Sequence, residues 1–170
     1  MNTHTTQSGF VILFTMLISS IILAIALGIS GIAYNESLLS ASAREATISF
    51  FAADSGVECA LFNDSLSPSP FSGTGTSFTC NGESFSPPTS LVYTNTTYDN
   101  YEFYINLTAK QTCAYVTVQK GLIDPVTSAV YSRIISRGYN VPCPIVKNII
   151  LSPSASFPAK MTERLIETRY

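Results

Sequence analysis

The chain opens with a short polar stretch, which is followed by an apolar segment, Phe10 to Ala33, without a charged residue or a proline. An α-helix rises about 1.5 Å per residue, so a helix over this segment would exceed the roughly 30 Å of a bilayer core. A buried helix of a soluble protein is the competing interpretation, but the length favours membrane insertion. No second segment of this kind occurs, which excludes a polytopic channel or transporter.

Residues 34–63 have the periodicity of an amphipathic helix, and no proline occurs between Phe10 and Ser67. Gly56 alone disfavours a helix in this region. We therefore predict that the membrane helix continues to about Asn63. Apolar or small residues recur there at alternating spacings of four and three, as one helical face requires; they are Leu39, Ala43, Ala46, Phe50, Ala53, Val57 and Ala60.

The rest of the chain predicts a loop followed by an antiparallel sheet. Residues 64–100 are rich in Ser, Thr, Pro, Gly and Asn, which indicates a loop region. The stretches 113–120 and 129–137 predict a β-hairpin, and 160–170 predict a last strand. The expected fold is α+β, in which an antiparallel β-sheet head over residues 101–170 packs on the long helix. Alternation predicts a half-buried strand whose inward side chains are Tyr101, Phe103, Ile105, Leu107 and Ala109.

The composition agrees with a membrane-anchored protein. Of the 170 residues, 46% are hydrophobic and only 12% are charged, which is low for a soluble domain. Arg44 is the only basic residue before Lys110, whereas most acidic residues precede Lys110. This asymmetry predicts docking between oppositely charged faces, within or between subunits.

Four cysteines follow the apolar segment, and they predict two disulfides in an oxidising compartment. Four cysteines allow three connectivities. We favour Cys59–Cys80, which would tie the loop region to the helix. We also favour Cys113–Cys143, because a hairpin brings the start of its first strand near the end of its second.

The sequence offers no candidate for catalysis, and we predict a non-enzymatic protein without a cofactor or a metal. The single histidine, His4, precedes the apolar segment, so neither a Ser/His nor a Cys/His arrangement is available beyond it. Asp54 and Glu58 are more typical of an acidic surface than of a cation site. Basic residues such as Arg133 and Arg137 are scattered, so DNA binding is not expected.

Three interpretations of the N-terminus remain open: an uncleaved anchor, a secretory signal cut after Ala33, and a short leader cut between Gly9 and Phe10. An ordinary signal has a basic start and a shorter apolar core, which counts against the second. The flanking charges give no orientation. The cysteines indicate that the C-terminal part is extracytoplasmic.

The chain has a leader that ends in Gly9, then Phe10, an apolar segment and a long amphipathic helix. This order of features resembles that of the type IV pilin superfamily. The resemblance is closest to bacterial PilX-like minor pilins. Residues 50–62, FFAADSGVECALF, are similar to the Ala-Ala-Glu/Asp-(Ala/Ser/Thr)-Gly-hydrophobic-Glu stretch of that group. Residues 136–143 (SRGYNVPC) and 160–170 (KMTERLIETRY) are similar to later segments of some members.

The resemblance implies a division into a prepilin-type leader (1–9), a transmembrane half of the helix (10–33), an amphipathic half (34–63), a loop region (64–100) and a sheet head (101–170). In that superfamily a prepilin peptidase cleaves after the glycine and methylates the new terminus. This assigns processing to Gly9 and Phe10. The usual leader carries basic residues, and this leader carries none.

The fifth residue after the implied cleavage point is Phe14, where major pilins carry a glutamate. A lone carboxylate in a bilayer costs about 2.5–3.5 kcal/mol on insertion scales, and major pilins are thought to pair it with a neighbouring terminal amine. Minor pilins of the PilX and GspK type often lack this glutamate. The resemblance therefore implies an initiating or tip subunit rather than a shaft subunit.

The resemblance also implies the partners of the chain: inner-membrane lipid, prepilin peptidase, and other pilins or pseudopilins that pack through their N-terminal helices. Ser20, Ala24 and Gly28 recur every four residues, and Gly31 follows. Small residues at this spacing let helices approach closely. The alternative is a membrane-anchored extracytoplasmic binding or adhesion protein that does not polymerise.

Overall fold

The described residues fold as an α+β protein, with one long N-terminal helix and two antiparallel sheets among them. The computed structural model describes residues 8–73, 76–86, 98–107, 111–152, 158 and 160–170, so most of the expected leader, residues 1–7, lies outside the described residues. The elements in chain order are α1 (Ser8–Asp64), β1 (Phe78–Cys80), β2 (Glu83–Phe85), β3 (Asp99–Leu107), β4 (Thr112–Ile123), β5 (Val130–Tyr139), α2 (Cys143–Leu151) and β6 (Glu163–Arg169).

Contacts divide the chain into an N-terminal unit, residues 1–43, and a C-terminal unit, residues 44–170. In the N-terminal unit every side chain from Phe10 to Ala43 is exposed. The most apolar window of α1 has a mean hydropathy of 2.8, and none of it is buried. By length and composition this helix is able to cross a membrane, as predicted.

The C-terminal unit contains a four-stranded antiparallel sheet in the order β3-β4-β5-β6. The predicted hairpin is confirmed as β4 and β5, and the predicted last strand as β6. Tyr101, Phe103 and Ile105 of β3 are buried, as their alternation predicts, and Leu107 is half-buried. Ala109, the last residue of that pattern, lies outside the described residues.

Glycines set the distance between the end of α1 and the sheet. A Cβ added to Gly138 of β5 would overlap backbone atoms of Ser49 and Ala53 on the helix. Gly56 of the helix in turn faces Ser136 and Val116, side chains of the sheet. Gly56 therefore disfavours helix formation locally but permits close packing of the two layers.

The apolar helical face that the sequence indicates in α1 is only partly buried. Ala53, Val57 and Ala60 are buried, but Phe50 is 47% exposed and Leu39 is 72% exposed. A large side chain at the contact would hold the helix away from the sheet, so small residues occupy it instead. The observed buried face consists of Ser49, Ala52, Ala53, Gly56, Val57, Ala60 and Asn63.

Residues 64–100 contain more structure than the predicted loop. β1 and β2 form a short antiparallel hairpin. Phe71 is 1% exposed and packs edge-on against Phe78 of β1 at a ring-centroid distance of 5.4 Å. Phe78 in turn contacts Phe103 of β3 at 5.0 Å. These aromatic pairs join the region to the core; residues 74–75 and 87–97 lie outside the described residues.

The sequence analysis did not anticipate α2. Pro142 is its N-cap and Pro144 lies in its first turn, where the missing N–H needs no partner within the helix. Val146 of α2 is fully buried against Tyr115 and Tyr139 of the sheet. Within the C-terminal unit, the sheet therefore has the end of α1, residues 44–64, on its inner face and α2 over one end of its outer face.

Candidate functional site

The two residues of the implied processing site lie in the first turn of α1. Phe10 is 75% exposed, and its ring stacks on that of Phe14 at a centroid distance of 6.5 Å. Phe14 is itself 54% exposed. The position at which a major pilin carries a glutamate is thus an apolar surface one helical turn beyond Phe10.

The predicted helix-packing residues are exposed within the N-terminal unit. The hydroxyl of Ser20 donates to the carbonyl oxygen of Leu17 at 2.8 Å, so it is satisfied inside the helix. A Cβ added to Gly28 or Gly31 would meet nothing within 4 Å. Together with Ala24 these residues form a smooth surface that admits a close neighbour, as the GxxxG pattern does in membranes.

The structure joins Cys59 to Cys80 and Cys113 to Cys143, the two pairs that the sequence analysis favours. The first links α1 to β1, and the second links β4 to the first residue of α2. Cys113 is fully buried and Cys143 is 5% exposed. Both bridges lie in the C-terminal unit and fix the elements that flank its sheet.

Asp64 joins the end of α1 to the sheet and to the C-terminus. Its carboxylate pairs with Lys120 of β4, and it accepts hydrogen bonds from the hydroxyls of Ser69 and Tyr170. Burial alone would raise the pKa of Asp64, but the three hydrogen bonds and the charge of Lys120 outweigh it and lower that pKa. One acidic residue of the helix and one basic residue of the sheet therefore form an ion pair within one chain.

We expect Asp64→Asn to reduce the stability of the C-terminal unit by about 1–3 kcal/mol near pH 7, because charged hydrogen bonds are lost. The folded pKa of Asp64 lies below the ordinary 3.8. The carboxylate therefore stabilises the fold above that pH, and the contribution disappears as the pH falls through the folded pKa. Urea unfolding of the full chain as a function of pH measures this, with the exposed Glu58→Gln as control. Equal unfolding midpoints for both variants would contradict it.

The uncovered part of the outer sheet face forms a polar cleft of about 400 Å³, which we call the outer-face cleft. Arg133 and Arg137 of β5 lie on one side, each 3.7 Å from a glutamate of β6. Glu102 of β3 lies on the other side and accepts a hydrogen bond from Asn100 at 2.9 Å. The lining residues are Tyr98, Asn100, Glu102, Tyr115, Thr117, Gln119, Arg133, Ile135 and Arg137.

Two buried polar atoms beside the outer-face cleft have no hydrogen-bond partner among the described residues: the Oδ1 atom of Asn100, and the Nε atom of Arg133, which faces the Oε1 atom of Glu167 at 3.7 Å. Asn100 is only 3% exposed. Burial, followed by a hydrogen bond to Glu102, raises the pKa of Tyr115, so its hydroxyl stays protonated at neutral pH. The cleft thus holds both hydrogen-bond donors and acceptors.

The sequence analysis noted Arg133 and Arg137 only as scattered basic residues, whereas the structure places them on one face of β5. Their spacing of four indicates this, because side chains an even number apart on a strand share a face. Asn100 and Glu102 follow the same rule on β3. No three His, Cys, Asp or Glu side chains in the described part of the chain group into a metal site.

Comparison of the chain with known protein families, with curated proteins and with solved structures found no match.

Proposed function

We propose that the chain is a non-enzymatic structural subunit, a minor pilin or pseudopilin, of a type IV pilus-like filament. It acts in the initiation of assembly or at the tip. Its helix resides in the inner membrane as a single span, and its C-terminal unit is extracytoplasmic and later reaches the cell surface. The observation that carries the proposal is that residues 10–43 of α1 present only exposed side chains.

An apolar surface of this size requires lipid or protein around it. The described part of the chain supplies neither, because no side chain of residues 10–43 is buried. The helix of a filament subunit is surrounded by membrane lipid before assembly and by neighbouring helices after it. The resemblance of residues 50–62 to PilX-like minor pilins and the Gly9–Phe10 step support this use of the helix.

Phe14 supports a minor rather than a major subunit. A shaft subunit would use a glutamate there to pair with a neighbouring terminal amine, and a phenylalanine side chain forms no ion pair. Phe14 contributes apolar surface instead. Such a surface suits a subunit that enters a helix bundle without the glutamate–amine pair that shaft subunits repeat. This supports a low-copy position, with prepilin peptidase and other pilins as the proposed partners.

The mature terminus tests the proposal. We expect intact mass and terminal sequencing of the membrane fraction to show a chain that starts at N-methylated Phe10. A start at Met1 would instead indicate a plain anchor for a binding protein that does not polymerise, and a start at Tyr34 a secreted domain. Both outcomes contradict the proposal.

Two matched substitutions sharpen this test. Gly9→Leu is expected to leave the leader attached and to remove the chain from sheared filaments. Ala33→Leu, which changes the residue before the alternative cleavage point, is expected to leave processing at Phe10 unchanged. If Ala33→Leu blocked maturation and Gly9→Leu did not, the leader would be an ordinary secretory signal.

A further inference from the structure

We propose that the tip of the β4–β5 hairpin binds the surface of a neutral phospholipid bilayer other than the bilayer that holds α1. The hairpin tip, as we call residues 121–130, carries three exposed aliphatic side chains. Ile123 is 57%, Val126 is 90% and Val130 is 71% exposed, and no large hydrophobic side chain in the described part of the chain is more exposed than Val126. The proposal uses the membrane position of α1 but does not depend on polymerisation.

The hairpin tip extends beyond the other strands of the sheet. Among the described residues, β3 pairs with β4 only as far as Lys120, and the backbone hydrogen bonds between β5 and the C-terminal strand extend only to Ser132. A bulge after Gln119, where Gly121 has a φ of 78°, separates the tip from the regular part of β4. The three aliphatic side chains therefore lie on a projection and not inside a groove.

The hairpin tip lies at the end of the C-terminal unit opposite to the end at which the chain enters that unit. Near this entry, Asn140 at the far end of β5 donates to Glu45 of α1 at 2.8 Å. Asp64, at the end of α1, pairs with Lys120 at the base of the tip. A helix from Arg44 to Asp64 is about 30 Å long. This position favours contact with a second bilayer over contact with the bilayer that α1 enters.

The backbone donors at the turn of the hairpin tip are all paired inside the tip. The Oδ1 atom of Asp124 accepts hydrogen bonds from the backbone N–H groups of Val126 at 2.8 Å and Thr127 at 2.9 Å. Pro125 has no N–H group. The remaining donors of residues 124–129 also have acceptors within the turn; they are the N–H groups of Asp124, Ser128 and Ala129. A loop in water can leave such donors to solvent, whereas a loop that enters lipid needs internal acceptors for them. The tip is therefore suited to shallow insertion at the boundary of headgroups and acyl chains.

The charges at and behind the hairpin tip favour a neutral lipid. Asp124 is the only charged residue within the tip. The basic side chains at its base are matched by acidic ones in ion pairs or across the sheet; the residues are Lys120, Arg133, Arg169, Asp64, Asp99 and Glu167. Anionic lipids are attracted by clusters of basic residues, and this region has no excess of positive charge.

The size of the hairpin tip favours a lipid surface over a protein partner. A stable protein interface usually takes in about 20–30 residues on each partner, and its strongest contacts come from Trp, Tyr and Arg. The tip contains ten residues and none of these three types. Insertion into a bilayer surface has no such size threshold, because each buried aliphatic side chain adds to the affinity.

Recruitment of the full chain to vesicles tests the proposal. The chain is reconstituted through α1 into phosphatidylcholine nanodiscs, and phosphatidylcholine vesicles are then added, so that the C-terminal unit is the part that reaches them. We expect nanodiscs with the chain to float with the vesicles in a density gradient and empty nanodiscs to stay behind. Vesicles that also contain phosphatidylglycerol are the anionic probe and are expected to bind no tighter.

Variants locate the contact on the hairpin tip. Val126→Ser and Ile123→Ser are each expected to weaken vesicle binding about tenfold, because each removes an aliphatic side chain from the inserted surface. Leu165→Ser is the matched control. Leu165 is also an exposed aliphatic residue, at 52%, but it lies on β6 outside the tip, so its replacement should leave binding unchanged.

A fluorescent reporter tests insertion directly. The chain contains no tryptophan, so Val126→Trp introduces a single one at the tip. With added vesicles of brominated phosphatidylcholine, we expect the emission of this variant to shift to shorter wavelength and to be quenched. Leu165→Trp, the control, should show neither change.

Four results would overturn the proposal. The first is the absence of chain-dependent flotation with phosphatidylcholine vesicles, and the second is binding to the anionic vesicles at least tenfold tighter. The third is an equal loss of binding in Leu165→Ser and Val126→Ser. The fourth is association of the loaded nanodiscs with one another in the absence of vesicles, abolished by Val126→Ser, since the tip would then dock on a second copy of the chain. The mature terminus tests the filament function separately, so either proposal is able to fail alone.

Discussion

Replacing Gly138 with alanine is expected to destabilise the C-terminal unit strongly. The added Cβ would overlap the carbonyl oxygen of Ser49 and the backbone nitrogen of Ala53 on α1. Backbone atoms of a helix do not move aside as a side-chain end does, so the two layers must separate. Overpacking of a core usually costs about 1–3 kcal/mol, and we expect at least the upper end of that range.

A graded series of alanine substitutions tests this explanation. At Gly56 the new Cβ would meet the side chains of Ser136 and Val116, which have rotamer freedom, so a smaller loss is expected. At Gly31 it would meet nothing within 4 Å. Urea unfolding of the full chain in detergent, followed by near-ultraviolet circular dichroism, ranks the three variants. If Gly138→Ala unfolded at the midpoint of Gly31→Ala, the close contact would not govern stability.

The elements that the sequence predicts correctly are those in which one physical signal dominates. The apolar segment is too long for most structures other than a membrane-spanning helix, so the sequence alone predicts α1. In β3 the alternation of Tyr101, Phe103 and Ile105 with more polar residues indicates a strand with one buried face. The hairpin of β4 and β5 then places Cys113 near Cys143, and the structure contains that disulfide.

The elements that escape prediction depend on tertiary contacts. α2 begins beside Pro142 and Pro144, and prolines in a short segment favour a loop prediction until the helix start is known. β1 and β2 are only three residues each, and aromatic contacts through Phe78 stabilise them more than local propensity does. The buried face of α1 follows from Gly138, a residue far away in sequence.

The candidate sites also differ in whether the order of residues along the chain or the tertiary structure defines them. Gly9, Phe10 and Phe14 are proposed from the sequence alone, because the resemblance that assigns their roles depends on their order along the chain. The outer-face cleft is not found, because it requires β3, β4 and β5 to be adjacent in known register. Only that register places Asn100, Glu102 and Arg133 on one surface, and periodicity within single strands does not provide it.

Removing the Cys113–Cys143 disulfide is expected to be the most damaging change outside the glycine contact. The bridge closes a separation of 30 residues, and loop-closure entropy alone assigns about 3–4 kcal/mol to a loop of that length. Its loss also weakens the attachment of α2, whose buried residues are only Cys143 and Val146. Tyr115 and Tyr139 would then lose their cover on the outer face of the sheet.

The second disulfide provides the matched comparison, because Cys59–Cys80 closes a similar separation of 21 residues. Loop-closure entropy predicts nearly the same loss for it, about 3 kcal/mol. The local outcome should differ, since Phe78, two residues before Cys80 in β1, still packs against Phe71 and Phe103 when that bridge is absent. Hydrogen exchange on the two double alanine variants measures the difference. We expect α2 to lose protection in Cys113→Ala/Cys143→Ala, whereas β1 keeps it in Cys59→Ala/Cys80→Ala. Equal loss of protection in α2 and β1 would show that the bridges alone, and not the aromatic contacts, hold the flanking elements to the sheet.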